Sequence, residues 1–241
     1  MNGVRVLVTR PQPGADRTAA RLTSLGYEPV VLPLTQTLAL SQDLPEAKPD
    51  LVIATSPQAF HHLSQALRDV LARVPVIVTG DGTAKAAREA GLAHVETAGG
   101  NVAGLIDRLG QTNLSDMKVI YLAGRVRRPD LEFFLRDKAK DFELTEVYGT
   151  ISVSYSTDNI HKVAAGTPFA SVLLTSVETV TALSGISGDE FNHAIENAIF
   201  ICLSERIAET ARGRYPNPIA VAPEPTEDSL LECLMKAFPL A

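Results

Sequence analysis

Tryptophan is absent from the 241-residue chain, aromatic residues make up only 5% of it, and there are two cysteines. Each scarcity removes a class of function. Two cysteines, Cys202 and Cys233, both in apolar segments, cannot build a disulfide framework and read as a reduced pair. The histidines do not supply a metal centre either. His61 and His62 are neighbours, which on a helix point roughly 100° apart, and His94, His161 and His193 are isolated. Basic clusters interleaved with aromatics are missing, and the formal charge is −6, so nucleic acid is not an expected partner. No apolar run reaches the length of a bilayer span, so no membrane role is expected. Nucleotide fingerprints are lacking: no GxGxxG follows a strand, there is no GxxxxGK[ST], and no GxSxG elbow occurs. The start, Met1-Asn2-Gly3-Val4-Arg5-Val6, runs straight into a strand without a signal peptide, and the expected location is cytoplasmic.

What is present is apolar material, 45% of the residues, sufficient for a sizeable core. It is arranged as short β-branched runs alternating with amphipathic segments. Val76-Ile77-Val78 reads as a buried strand, Gly80 and Gly82 as a tight turn, and Thr83 as the opening of a helix that closes near Gly91. Such a turn presents backbone N–H groups at a helix N-terminus, where anions are stabilised. The same unit is expected at Val4–Val8 with a helix over 15–25, at Leu51–Ala54 with one helix running through to Leu71, and near Val95 with a helix over 102–109. Another is expected at Val119–Leu122 with a helix over 130–138. Segments 33–38 and 146–155 are extended and read as connectors.

After Pro168 the units repeat. Ser171–Leu174 ends in Thr175-Ser176 as Leu51–Ala54 ends in Thr55-Ser56, an offset of 120 (175 − 55). Ala198–Leu203 runs into Ser204-Glu205-Arg206-Ile207-Ala208 as Val76–Val78 runs into Gly80–Ala84, an offset of 124 (208 − 84). The second copy lacks a counterpart of the unit at 119–138, and the N-terminal unit resembles the missing piece. The expected architecture is therefore α/β, with two flavodoxin-like domains, each a parallel sheet covered on both faces. The first domain is discontinuous, 1–35 plus 157–241; the second is 39–147; 36–38 and 148–156 are hinge connectors. The strand-end loops would face a cleft between the domains.

Those loops share a character. Thr9, Thr55, Ser56, Gly80, Gly82, Thr83, Ala84, Gly124, Thr175, Ser176 and Ser204 are small or hydroxylic, and Arg10, Arg125, Arg127 and Arg128 add cations. Serine and threonine at such places are helix caps, ligand donors, or both, because a capped N-terminus still offers free N–H groups. The set suits a ligand rich in carboxylate or phosphate. Tyr148 stands at the junction of the second domain and its connector. A phenol there is either hinge packing or a general acid, since it is protonated at neutral pH. Two other classes fit this fold: a non-catalytic anion-binding or regulatory module, and a nucleotide- or flavin-binding flavodoxin-like protein.

Taken together, Val6-Leu7-Val8-Thr9-Arg10-Pro11, Thr55-Ser56, Thr79-Gly80-Asp81-Gly82-Thr83-Ala84, Gly124 with Arg128, Val147-Tyr148 and Val221-Ala222-Pro223-Glu224-Pro225-Thr226 resemble uroporphyrinogen-III synthase. The resemblance implies two flavodoxin-like domains joined by a two-stranded ladder. It implies conversion of linear hydroxymethylbilane to uroporphyrinogen III with loss of water and inversion of ring D through a spiro-pyrrolenine, without metal or organic cofactor. The substrate is a polycarboxylate tetrapyrrole, and hydroxymethylbilane synthase, which supplies it, is an expected transient contact. By the same resemblance Tyr148 assists hydroxyl departure as an acid, and Thr83 and Ser56 bind substrate carboxylates. The remaining strand-end residues, from Thr9 and Arg10 to Gly124, Arg128, Thr175, Ser176 and Ser204, complete the binding set. The chain departs from the family pattern at Ile207, where many members carry a hydroxyl, and at Arg125, where many carry a small or amide residue.

Overall fold

The computed structural model describes residues 3–186 and 188–240. Residue contacts divide the chain into two compact units, Met1–Gln36 with Ile151–Ala241, and Thr37–Thr150. The first part of the chain forms β1 (Arg5–Val8), α1 (Gly14–Ser24), β2 (Glu28–Val31) and β3 (Thr35–Ala39). Next come β4 (Leu51–Ala54), α2 (Gln58–His61), α3 (Gln65–Leu71), β5 (Val76–Val78), α4 (Asp81–Glu89), β6 (Val95–Thr97) and α5 (Val102–Gly110). They are followed by β7 (Lys118–Gly124), α6 (Asp130–Lys138) and β8 (Asp141–Ser152). The last third holds α7 (Thr157–Ala164), β9 (Ser171–Leu174), α8 (Val177–Leu183), α9 (Asp189–Ile195), β10 (Ile199–Cys202), α10 (Glu205–Arg212), β11 (Ile219–Val221) and α11 (Glu227–Ala237).

One sheet has the order β11-β10-β9-β1-β2 and the other β3-β8-β7-β4-β5-β6. The pairings β1–β2, β1–β9, β9–β10 and β10–β11 are parallel, as are β4–β5, β4–β7, β5–β6 and β7–β8. Read outward from β9 and from β4, the two sheets correspond strand for strand: β10 with β5, β11 with β6, β1 with β7, and β2 with β8. The N-terminal β1–α1–β2 unit thus takes the place beside β9 that β7–α6–β8 takes beside β4.

The continuous apolar runs have the cause expected of parallel strands, which bury both faces. In β9, Val172 and Leu174 enter one core and Leu173 the other; in β4, Val52 and Ala54 face one core and Leu51 and Ile53 the other. Leu7, Val172, Phe200, Val52 and Ile53 are fully buried, and each such side chain contributes about 1.5–3 kcal/mol through removal from water.

The structure differs from the sequence expectation in local detail. The helix expected to run through to Leu71 is two, α2 and α3, because Ser64 turns extended and its hydroxyl caps α3 by accepting from the Leu67 amide at 3.3 Å. Helix α4 starts at Asp81 with Gly80 as its N-cap, so Thr83 lies inside the first turn and does not open the helix. The extended segment around 146–155 begins earlier, at Asp141, and over 141–148 it is a full member of the sheet, paired in parallel with β7 from Lys118↔Asp141 to Gly124↔Tyr148. Among the described residues, no helix is long and apolar enough to cross a membrane.

Candidate functional site

In the unit Thr37–Thr150, the strand order β8-β7-β4-β5 sets the carboxyl ends of four parallel strands side by side. Tyr148 in β8, Gly124 at the end of β7, Thr55 and Ser56 after β4, and Gly80, Gly82, Thr83 and Ala84 after β5 therefore share one sheet edge. In the other unit, Thr9 and Arg10 after β1, Thr175 and Ser176 after β9, and Ser204 after β10 share the equivalent edge.

Tyr148 is half-buried, and the β7–β8 register is irregular where it pairs with Gly124, between Ala123 and Gly124. A Cβ on Gly124 would lie 2.6 Å from Tyr148 Cζ and 2.8 Å from its hydroxyl oxygen, so the phenol end of the ring rests on bare backbone. The Arg125 amide donates to the Tyr148 carbonyl at 2.9 Å. The His62 ring stacks on Tyr148 with centroids 6.0 Å apart and planes 27° from parallel. A second phenol, Tyr121 in β7, donates to or accepts from Thr55 at 3.2 Å. Tyr121 is only 2% exposed, and burial first of all pushes its phenol above the ordinary value; the Thr55 bond opposes this. Tyr148, with surface to offer, is the better placed of the two to meet a ligand.

The connection between β7 and α6 is held by Arg127. Its guanidinium pairs with Glu132 at 2.5 Å and Glu146 at 2.7 Å, and donates to the Gly124 carbonyl at 3.0 Å. Arg125 also pairs with Glu146, and Arg128 is exposed beside Asp130 at 3.4 Å. With Arg127 anchored inward, Val126 of the connection and Phe133 of α6 are left to solvent, 60% and 68% exposed.

The glycines after β5 do different work. Gly80 lets the turn approach Gly100: a Cβ there would meet Gly100 Cα at 3.3 Å, and the Gly100 amide donates to the Thr79 carbonyl at 2.6 Å. Gly82 faces open space, leaving the first turn of α4 accessible to an anion, as the dipole and free N–H groups there would favour. Thr83 is 4% exposed. Its counterpart in the repeat, Ile207, is equally buried in α10 at 3%. Position 83 is thus packed against the interior in both units. Ser56 accepts from the Gln58 amide at 3.3 Å.

In the other unit several residues read as ligand donors have structural partners. Thr9 is fully buried and its hydroxyl donates to the Leu173 carbonyl at 2.6 Å, tying β1 to β9. Arg10 pairs with Glu227, the first residue of α11, at 3.2 Å and donates to Thr18 at 3.2 Å, while burial lowers its basicity. Ser176 caps α8 through the Thr179 amide at 3.1 Å. Ser204 stands at the N-cap of α10 but its side chain makes no cap bond, so its hydroxyl is not used by the helix. Thr175 is half-buried at the end of β9. Cys202, two residues before Ser204, is fully buried, and burial pushes its thiol up to about 12, which disfavours the thiolate.

His62 was not among the residues picked out from sequence. Beside His61 it reads only as a poor metal co-ligand; the fold brings residue 62 against residue 148.

Residues 16–232 match the family model described as uroporphyrinogen-III synthase HemD. The porphyrin biosynthesis protein HemD of Ruminiclostridium josui is 25% identical over 252 aligned positions, which include 97% of this chain. The chain spans about half the length of that relative, 48%. Among solved structures, uroporphyrinogen-III synthetase from Helicobacter pylori superposes with a TM-score of 0.68 at 17% identity, covering 98% of this chain and 99% of that one. A mutant uroporphyrinogen III synthase from the extremely thermophilic bacterium Thermus thermophilus superposes with a TM-score of 0.51 at 18% identity, covering 97% and 98%. The match over residues 16–232 makes this chain a member of the uroporphyrinogen-III synthase HemD family.

Proposed function

We propose that this chain catalyses the cyclisation of hydroxymethylbilane to uroporphyrinogen III with loss of water and inversion of ring D, a lyase reaction of the cytoplasm. The observation that carries the reading is the family match across residues 16–232. The geometry of the sheet edge supports it. Tyr148 presents a phenol on the Gly124 backbone, and its proton would go to the departing hydroxyl oxygen as the pyrrole nitrogen lone pair expels water. The first turn of α4, open at Asp81 and Gly82, would hold carboxylates through its N–H groups, with the hydroxyls of Thr55, Ser56 and Thr83 as further donors. Ser204, Thr175 and the start of α8 at Ser176 offer donors of the same kind in the other unit. Val126 and Phe133 would give the pyrrole rings apolar contact.

This division of labour matches the charge of the molecule. A net charge of −6 provides no long-range attraction for a polyanion, and Arg10 and Arg127 are engaged by Glu227, Glu132 and Glu146. Local, oriented donors would therefore do the holding, and they fix geometry better than mobile surface cations. Held in one geometry, the flexible tetrapyrrole closes to the III isomer faster than it closes spontaneously to the I isomer. Hydroxymethylbilane synthase, as the source of an unstable substrate, is the proposed transient partner.

The test is direct: hydroxymethylbilane is supplied to the purified protein, the product is oxidised, and the isomers are separated by chromatography. Isomer III is the expected product. Isomer I alone, at the rate without protein, would leave only an anion-binding module.

A further inference from the structure

His62 follows α2 and is half-buried in the unit that carries Tyr148. Two independent sets of contacts connect it to that tyrosine. The first runs through side chains. His62 Nε2 lies 2.8 Å from Thr37 Oγ1, and the Thr37 hydroxyl donates to Gln58 Oε1 at 3.2 Å. Because the Thr37 proton is directed at Gln58, Thr37 accepts from His62, which fixes the Nε2–H tautomer and the plane of the imidazole. That plane is the one stacked against the Tyr148 ring, within the range of favourable aromatic pairs.

The second runs through the backbone. Gln42 Nε2 donates to the His62 carbonyl at 2.7 Å and approaches the Val147 carbonyl at 3.3 Å, while Gln42 Oε1 accepts from the Ser64 amide at 2.8 Å. One amide side chain thus holds the chain at 62–64 against the residue preceding Tyr148. The break between α2 and α3 makes these bonds possible: a single continuous helix would leave the His62 carbonyl and the Ser64 amide engaged in helical bonds and unable to meet Gln42.

We propose that His62, oriented by Thr37 and tethered by Gln42, is a positioning residue for Tyr148, holding the phenol on Gly124. This rests on the reading of Tyr148 as the acid. The imidazole need not touch substrate; it removes the alternative rotamers that the open side of a half-buried ring would otherwise sample.

The experiment is a double-mutant cycle with an added structural readout. His62→Ala, His62→Phe, Tyr148→Phe and the pair His62→Ala/Tyr148→Phe are assayed for kcat and KM of isomer III formation. Carbon-13 tyrosine NMR follows the ring signal of residue 148, assigned by its loss in Tyr148→Phe. His62→Ala is expected to lower kcat on the order of 10-fold, the scale of a modest misplacement of a reacting group, with KM nearly unchanged and the Tyr148 signal shifted. His62→Phe, which keeps a ring in place, restores most of both. In the Tyr148→Phe background, His62→Ala has no further effect on kcat. Equal losses in both backgrounds, or a Tyr148 signal unmoved by His62→Ala, would overturn the proposal. A wild-type protein that forms no isomer III would defeat the activity reading, whereas the NMR result judges the positioning contact by itself.

Discussion

Tyr148 occupies the space that a side chain at residue 124 would fill: the missing Cβ of Gly124 falls 2.6 Å from Cζ of the phenol. The glycine is needed for its neighbour and not for its backbone, since its φ lies outside the left-handed region. A register irregularity in the β7–β8 ladder at this point brings the two residues together.

Gly124→Ala should therefore act through Tyr148. Overpacking of this kind costs about 1–3 kcal/mol, and displacement of the acid should lower kcat by roughly 10²-fold. The cause can be isolated. In a Tyr148→Ala background the space is free, and Gly124→Ala should then leave the Tm almost unchanged; a Tm loss as large as in the parent would place the clash elsewhere.

Tyr148→Phe keeps the ring, the His62 stack and the fit on Gly124, and removes only the hydroxyl. If the phenol donates a proton in the rate-limiting step, kcat should drop by roughly 10²-fold, the usual scale of general acid catalysis, while KM and Tm stay near the parent values. A rate equal to the parent would reduce Tyr148 to packing.

Legibility in the sequence followed the physics of each element. Leu51–Ala54, Val76–Val78 and Ser171–Leu174 could be read because central parallel strands are apolar on both faces, which leaves a continuous run. Strand β8 could be read only in its second half. Asp141-Phe142-Glu143-Leu144-Thr145 alternates polar and apolar residues, as suits a strand with one face turned to water, and its place beside β7 comes from tertiary pairing. The break at Ser64 was hidden because Leu63, Leu67 and Leu71 keep a helical spacing through it, and all three are buried. At the site, residue type marked the strand-end loops but could not separate hydroxyls engaged in structure from those left for a ligand. Thr9 and Ser204 look alike in sequence, yet one bonds Leu173 and the other leaves its helix uncapped. His62 needed the fold itself.

Thr83 can be tested by an isosteric change. Thr83→Val keeps the shape that position 83 requires and deletes the hydroxyl. If the hydroxyl holds a substrate carboxylate, KM should rise by roughly 10-fold or more, because hydrogen bonds to charged groups are worth about 1.5–3 kcal/mol. Stability should be retained, as the burial of Ile207 at the equivalent position implies. An unaltered KM would assign the carboxylate contact to the α4 backbone amides alone.

Arg10 is expected to belong to the fold. Its partners are Glu227 and Thr18, Thr18 also bonds Glu227, and Arg21 reaches the same carboxylate at 3.2 Å. A partly exposed pair of this type is worth about 1 kcal/mol or less. Arg10→Ala should lower the Tm by a few degrees, about what 1 kcal/mol produces in a chain of this size, and leave KM for hydroxymethylbilane within error of the parent. A large rise in KM without loss of Tm would return Arg10 to the binding set.

His62 also gives the unit a pH dependence whose sign can be worked out. Burial, and secondarily the neighbouring His61, hold the imidazole below its ordinary value of 6.5. The ring of Tyr148 stacks against the imidazole. Above the ordinary value both folded and unfolded chains carry a neutral His62, and the group has no effect on stability. As pH falls through that value the unfolded chain takes up a proton that the folded chain resists, so stability decreases until the folded value is passed. His62→Gln, which can still donate toward Thr37 but cannot titrate, should lose less Tm than the parent between about pH 7.5 and about pH 5.5. The comparison is a pair of thermal scans across that range; parallel Tm curves for the two proteins would mean that His62 takes up its proton in the fold as readily as in the open chain.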